Sequence, residues 1–210
     1  MIEVIISGEG NSDVGENDYL TNQFIPGPIT ILTDKIIHFF YNDDVCFHFK
    51  PRSELKRYPM TLKGKKKKFK KTASGKGHSD LAYKLGCLAK EKNVHIAVLM
   101  RDASKAQFRS VYDEIKSGFI AATFENGVAA VPVPESEAWI LCCLNPKESA
   151  RIENCKTDMK ELLEDKLTQR HLPHTKEIWC DIADDCMIEQ IESSSFKQYK
   201  NDLEERIKYL

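Results

Sequence analysis

Glu9 and Asp13 stand in the stretch "SGEGNSDVG" (7–15), directly after an apolar run and beside Gly8 and Gly10. Asp102 closes a second apolar run, "VHIAVLMRDAS" (94–104), with Ser104 two residues on. Glu135 and Glu137 follow a third, "GVAAVPVPESEAW" (127–139). Carboxylates held close together repel one another, so ionised they need a cation, and hard oxygen donors suit Mg²⁺ or Mn²⁺. Such an ion polarises a phosphoryl oxygen and generates hydroxide from a bound water. Gly8 and Gly10 would let the backbone turn sharply and let a substrate phosphate approach. Each acid alone also reads as an ordinary helix-start charge; the three clusters together favour a site.

A second group of residues is basic. Residues 52–76 hold 11 Lys or Arg and one acid, Glu54, in a chain of net charge -1, which leaves 20 basic against 31 acidic residues elsewhere. Lys63, Lys65, Lys66, Lys67, Lys68, Lys70, Lys71 and Lys76 suit the phosphate backbone of DNA or RNA with little sequence preference, and Phe69 offers a ring for base stacking. The plain alternative is a solvated charged loop. "SGKGHS" (74–79) fails as a P-loop, because Lys70 occupies the first glycine position and Gly77 follows the lysine. No nucleotide site is expected. His78 reads as a helix cap and His95 as a core residue. Cys155, His171, His174, Cys180 and Cys186 do not follow a standard zinc spacing and read as buried thiols and surface histidines, so zinc is not the expected metal.

Strands and helices must bring the acids together. "IEVIIS" (2–7), "VCFHF" (45–49), "VHIAVLM" (94–100) and "GVAAVPV" (127–133) read as strands. Helices are expected over 28–42, from Ser79 as cap into 80–92, over 105–116 and over 134–144; residues 11–27 and the basic segment read as loop. Beyond Asn145 the pattern is helical, over 147–170, 174–191 and 195–209. Strand and helix in alternation predict an α/β domain over 1–145 with a mainly parallel sheet, a basic loop insertion at about 51–77, and a helical extension over 146–210. Ligands of such sheets sit at the carboxyl ends of the strands, where all three acidic clusters fall. Glu135 and Glu137, two apart on a helix, point roughly 200° from each other. One of them therefore reads as a helix-start charge. Trp139 opens the apolar run "WILCCL" and reads as core.

With 41% hydrophobic and 30% charged residues the chain reads as a soluble globular protein. The start "MIEVIISGEG" has no basic leader, no apolar run approaches a membrane span, and seven irregularly spaced cysteines do not suggest a disulfide framework, so the cytoplasm is the expected compartment.

"IISGEGNSD" resembles the first motif of the TOPRIM (topoisomerase–primase) fold: a strand, then Glu9, Gly10 and, three residues later, Asp13. "IAVLMRDAS" resembles its second motif, a buried strand ending in Asp-x-Asp. "VPVPESEAWILC" resembles the Glu-x-Glu-Ala-Trp signature of small TOPRIM-like bacterial proteins, the domain of unknown function 4276 family. Together the motifs span roughly residues 1–145. The resemblance implies a Mg²⁺-dependent nuclease or nuclease subunit in phage or plasmid defence, working with a separate SMC-like or ABC-type ATPase. By the same resemblance Glu9 is metal ligand or general base, Asp102 the main ligand of the second motif, and Glu135 and Glu137 complete the shell, with Glu137 matching the signature better. The chain departs at Ser104, where the family has its second Asp, and at Asp13, where many relatives have Glu. These departures bear on activity more than on fold, so a non-catalytic adaptor that binds the ATPase or nucleic acid is the competing expectation. "MKELLEDKLTQRHL" offers an apolar stripe of Met159, Leu162, Leu163, Leu167 and Leu172 either to its own domain or to such a partner.

Overall fold

The computed structural model describes residues 1–21, 23–59 and 77–210. Its centre is a parallel four-stranded sheet of β1 (Ile2–Ser7), β4 (Val45–Phe49), β5 (Ile96–Met100) and β6 (Gly127–Ala130), in the order β4-β1-β5-β6. The α/β expectation holds at this level. Side chains of successive strand residues point to opposite faces. Val4 and Ile6 of β1 accordingly enter one core and Ile5 the other. Both faces are covered, which is why these strands are near-continuous apolar runs.

The first core packs α2 (Pro28–Phe40), α6 (Ser136–Leu144), α8 (Met159–Gln169), α9 (Lys176–Asp184) and α10 (Ser194–Ile207) against one face. The second packs α4 (His78–Glu91) and α5 (Phe108–Ala121) against the other, with Leu55 from α3 (Arg52–Arg57). The chain thus leaves β1 toward one face and β5 toward the other. That divergence opens a crevice at the carboxyl ends of two adjacent strands, the usual ligand position in open α/β sheets.

Several elements differ from the sequence reading. Residues 11–27 are not simply loop: a single turn, α1 (Asn11–Val14), precedes an antiparallel pair, β2 (Gly15–Asn17) and β3 (Phe24–Pro26). Gly15 is needed there, since its φ of 123° lies in a region that other residues rarely adopt. The start of the basic segment is helical as α3. Ser79 is not the cap of α4, which begins one residue earlier after Gly77, itself left-handed with φ 67°. The helix expected over 105–116 begins at Phe108, because the Ser104 carbonyl first accepts the N–H groups of Gln107 and Phe108 in a turn. The stretch 147–170 divides into α7 (Ser149–Ile152) and α8, the latter capped by Asp158, whose carboxylate accepts from the N–H groups of Lys160 (2.9 Å) and Glu161 (3.2 Å).

Most of the apolar stripe of the carboxyl-terminal helices is spent inside the molecule, with Leu162 partly buried and Leu172 exposed. Met159, Leu163 and Leu167 are fully buried, as are Phe196, Tyr199 and Leu203 of α10. Trp139 is core, as its sequence context suggests: it stacks on Tyr199 (5.3 Å), meets Phe196 edge-on (5.2 Å) and donates its indole N–H to Ser195 Oγ (3.1 Å). The helices after Asn145 therefore complete the first core. Among the described residues, no helix is long and apolar enough to cross a membrane.

Candidate functional site

The loops after β1, β5 and β6 bring the acidic clusters to one edge of the sheet, in two electrostatically different halves. Glu9 belongs to a cationic half. Its Oε1 accepts from Arg52, and its Oε2 lies 3.0 Å from Arg101 Nη1. Arg101 is buried at the end of β5, and its Nε donates to His78 Nδ1 at 3.0 Å. His78, expected as a helix cap, is instead a support for Arg101 in the first turn of α4, where Gly77 holds the cap position. Partial burial alone would raise the Glu9 carboxyl, but Arg101 and Arg52 hold it below the ordinary carboxylate value. Burial lowers Arg101, with Glu9 opposing. A cavity of about 470 Å³ opens beside this pair, lined by Gly8, Glu9, Pro51, Arg52, Ser53, Lys56 and Arg57.

The other half is anionic. Ser136 Oγ lies 2.9 Å from Asp13 Oδ1 and 3.1 Å from Glu137 Oε2, so one hydroxyl proton serves two buried carboxylates. Burial raises the Asp13 carboxyl, an effect the Ser136 hydrogen bond opposes and the charge of Glu137 reinforces. Lys160 Nζ, reaching in from α8, stands 3.7 Å from Glu137 Oε1. Asp102 lies between the halves. Its Oδ1 is buried and receives no hydrogen bond. Burial, then the charges of Asp13, Glu137, Glu9 and Glu135, push its carboxyl up to about 7. Glu135 is the N-cap residue of α6 and is less buried than Glu137, and its carboxyl is raised by burial and by Glu137.

Glycine has a packing role here beyond the turn. A β-carbon at position 10 would sit 2.6 Å from Asp13 Oδ2, and one at position 8 would sit 2.2 Å from Val14 Cγ2. Both residues are small so that Asp13 and the α1 turn can close over the end of β1.

The structure therefore places Asp102 where the charges of Asp13, Glu137, Glu9 and Glu135 all reach it. Ser104 is exposed in the turn before α5. Among the described residues, the predicted acids do not draw three ligand oxygens within 4.8 Å of one another. Lys63, Lys65, Lys66, Lys67, Lys68, Phe69, Lys70, Lys71 and Lys76 lie outside the described residues. His95 is not the core residue expected: it is exposed, its Nδ1 accepting the Glu3 N–H at 2.9 Å. His174 packs against the Trp179 ring at 5.2 Å, Cys180 donates to the Pro26 carbonyl at 3.7 Å, and Cys186 is buried.

Arg101, Ser136 and Lys160 escaped the sequence reading. The first two sit inside the motifs, Arg101 directly before Asp102 and Ser136 between Glu135 and Glu137, and a positively charged residue at a strand end beside Asp102 was a usable signal. Lys160 carries none, because only packing of α8 on α6 brings it to Glu137. No protein-family model matches the chain, and no curated protein or solved structure matches it.

Proposed function

We propose that this chain is a TOPRIM-like nuclease or nuclease subunit, dependent on Mg²⁺ or Mn²⁺ and acting on nucleic-acid phosphodiesters, in a bacterial anti-phage or anti-plasmid role. One observation supports it most: Asp102 keeps a buried oxygen without a hydrogen bond, at the end of paired strands whose connections leave to opposite faces, amid four other carboxylates. A buried acceptor in that state is unfavourable unless a cation or proton joins it. The all-oxygen donor set fits a hard divalent ion; Asp102, Asp13 and Glu137 would hold it by drawing their carboxylates closer together than they stand in its absence, with Glu135 at the rim. When bound, the ion supplies Lewis-acid polarisation of a phosphoryl oxygen and a water acidic enough to attack it.

The remaining work falls to side chains of the cationic half. Arg52, Lys56 and Arg57 face the cavity beside Glu9 and would receive a backbone phosphate, for which the planar guanidinium is suited. Glu9, with both oxygens on arginines, acts in this reading by aiming Arg52 and Arg101 at the phosphate. Its lowered carboxyl makes it a weak proton acceptor. Buried Arg101, braced by His78, keeps that orientation fixed.

The test is cleavage of plasmid and single-stranded oligonucleotides with Mg²⁺ or Mn²⁺. Asp102→Asn is expected to lower the rate at least about 100-fold, the scale of losing one charge-stabilising group. Unchanged cleavage by this variant would overturn the assigned site. Full-rate cleavage by the purified chain alone would also remove the need for a separate SMC-like or ABC-type ATPase, which belongs to the same proposal.

The engagement of Glu9 by two arginines favours a second reading, a non-catalytic adaptor that uses the cationic half to hold nucleic acid or an ATPase. Nucleic-acid binding lost in Arg52→Ala, with no cleavage under any metal, would favour the adaptor.

A further inference from the structure

At the opposite, amino-terminal end of the sheet, the parallel register of β1 and β4 pairs Glu3 with Cys46 and Ile5 with His48. Residues paired in register share a face, and so do residues two apart on a strand. Glu3, Cys46 and His48 therefore project from one face of the sheet. Their ligand atoms, a carboxylate oxygen, Sγ and a ring nitrogen, all lie within 4.8 Å of one another. His48 Nε2 is hydrogen-bonded to Glu3 Oε2, and the Cys46 thiol also bonds to Glu3. Protons thus already bridge the positions that a metal would bridge. His95, directly before the other neighbouring strand β5, stands beside Glu3, with its Nδ1 occupied by the Glu3 N–H.

We propose that Glu3, Cys46 and His48 form a binding site for a borderline-soft divalent ion, zinc by preference, which clamps the edge strand β4 to β1. One thiolate, one imidazole and one carboxylate make a set chosen by Zn²⁺ and shunned by Mg²⁺. The site is therefore chemically distinct from the acidic crevice and stands whether or not that crevice cleaves nucleic acid. Tetrahedral zinc needs ligand atoms roughly 3.5 Å apart. The Glu3–His48 pair must widen to reach that spacing, and both side chains are partly exposed and free to do so. On binding, the hydrated ion sheds waters as bonds form to Cys46 Sγ, His48 Nε2 and a Glu3 oxygen. The thiol proton leaves to solvent, and the proton on Nε2 moves to Nδ1 or, from an imidazolium, also leaves. No electron is transferred. Water completes the fourth position.

The sequence hides this site because Glu3 lies far along the chain from its partners, and only strand register joins them. The test is titration of the full chain, without a histidine tag and in a phosphine reductant, with Co²⁺ as the spectroscopic stand-in for zinc. One equivalent should produce a thiolate-to-cobalt charge-transfer band, displaced by Zn²⁺. Cys46→Ser should abolish the band, and His48→Gln should weaken binding more than about tenfold. Cys155→Ser, which alters another partly buried thiol, should leave both unchanged. Zn²⁺ should raise the melting temperature of the wild type and not of Cys46→Ser. Absence of the band in the wild type, its survival in Cys46→Ser, or its loss in Cys155→Ser would each overturn the assignment.

Discussion

Asp102 and Glu9 stand at the ends of adjacent strands, and their surroundings push them in opposite directions. Arginines hold Glu9 low, while burial and four neighbouring acids lift Asp102 to about 7. In the metal-free protein the folded state therefore keeps a proton on Asp102 that the unfolded chain, titrating near 4, has already released. Stability then falls as pH rises from about 4 to about 7 and levels off above. The shift corresponds to at most about 4 kcal/mol. Asp102→Asn should flatten that slope and make the protein more stable than wild type at pH 8 in urea unfolding. Mg²⁺ at pH 8 should raise the melting temperature of the wild type and leave the variant unmoved. Parallel stability curves for the two proteins would refute the electrostatic account. At this scale the sequence disclosed the acids well, since Glu9, Asp13, Asp102 and Glu137 each follow a recognisable strand. It did not disclose that Glu9 would be claimed by arginines. That depends on Arg52 arriving from the start of α3, just after β4, a contact between residues 43 apart in the chain.

Elements position the cationic half through one close crossing. α4 and α5 pack so tightly at Gly118 that a β-carbon there would sit 2.3 Å from the Ser79 carbonyl oxygen and 2.6 Å from Ala82 Cβ. The obstacle is backbone, which a rotamer change cannot clear. Ser79 adjoins His78, the support of Arg101, so displacing α4 reaches the site as well as the core. Gly118→Ala should destabilise the fold by about 1–3 kcal/mol in denaturant titration. It should also reduce whatever nucleic-acid binding the cavity supports; full stability and binding would show that the crossing yields easily. The four strands and most helices were legible because apolar runs and helical spacing are strong local signals. The hairpin of β2 and β3 was not, because three-residue strands carry no period and their pairing lies on Gly15. Helix starts at His78 and Phe108 escaped for a related reason: left-handed Gly77 precedes the first and a hydrogen-bonded turn from Ser104 the second, with no capping side chain at either.

Across the whole molecule, charge is divided between a strongly acidic body and one basic stretch of sequence, residues 52–76. The described start of that stretch, α3, already places Arg52, Lys56 and Arg57 along the cavity beside Glu9. The body repels a polyanion, so under the proposed function the approach of nucleic acid would be directed to the basic stretch and then to the crevice. Two roles then separate: α3 would fix a phosphate locally, while the lysines that follow in sequence would add affinity without sequence preference. Each phosphate neutralised by a lysine releases condensed counterions, and the salt dependence of binding counts them. Replacing Lys65, Lys66, Lys67 and Lys68 together with alanine should therefore weaken binding to duplex DNA and lower the log–log salt slope by about 3–4. Cleavage at saturating substrate should be retained, since none of the four belongs to the acidic crevice. A titration over several salt concentrations, with wild type and variant side by side, makes the measurement. An affinity and slope unchanged by the four substitutions would identify the run as a solvated loop and leave the α3 cations as the polyanion contact.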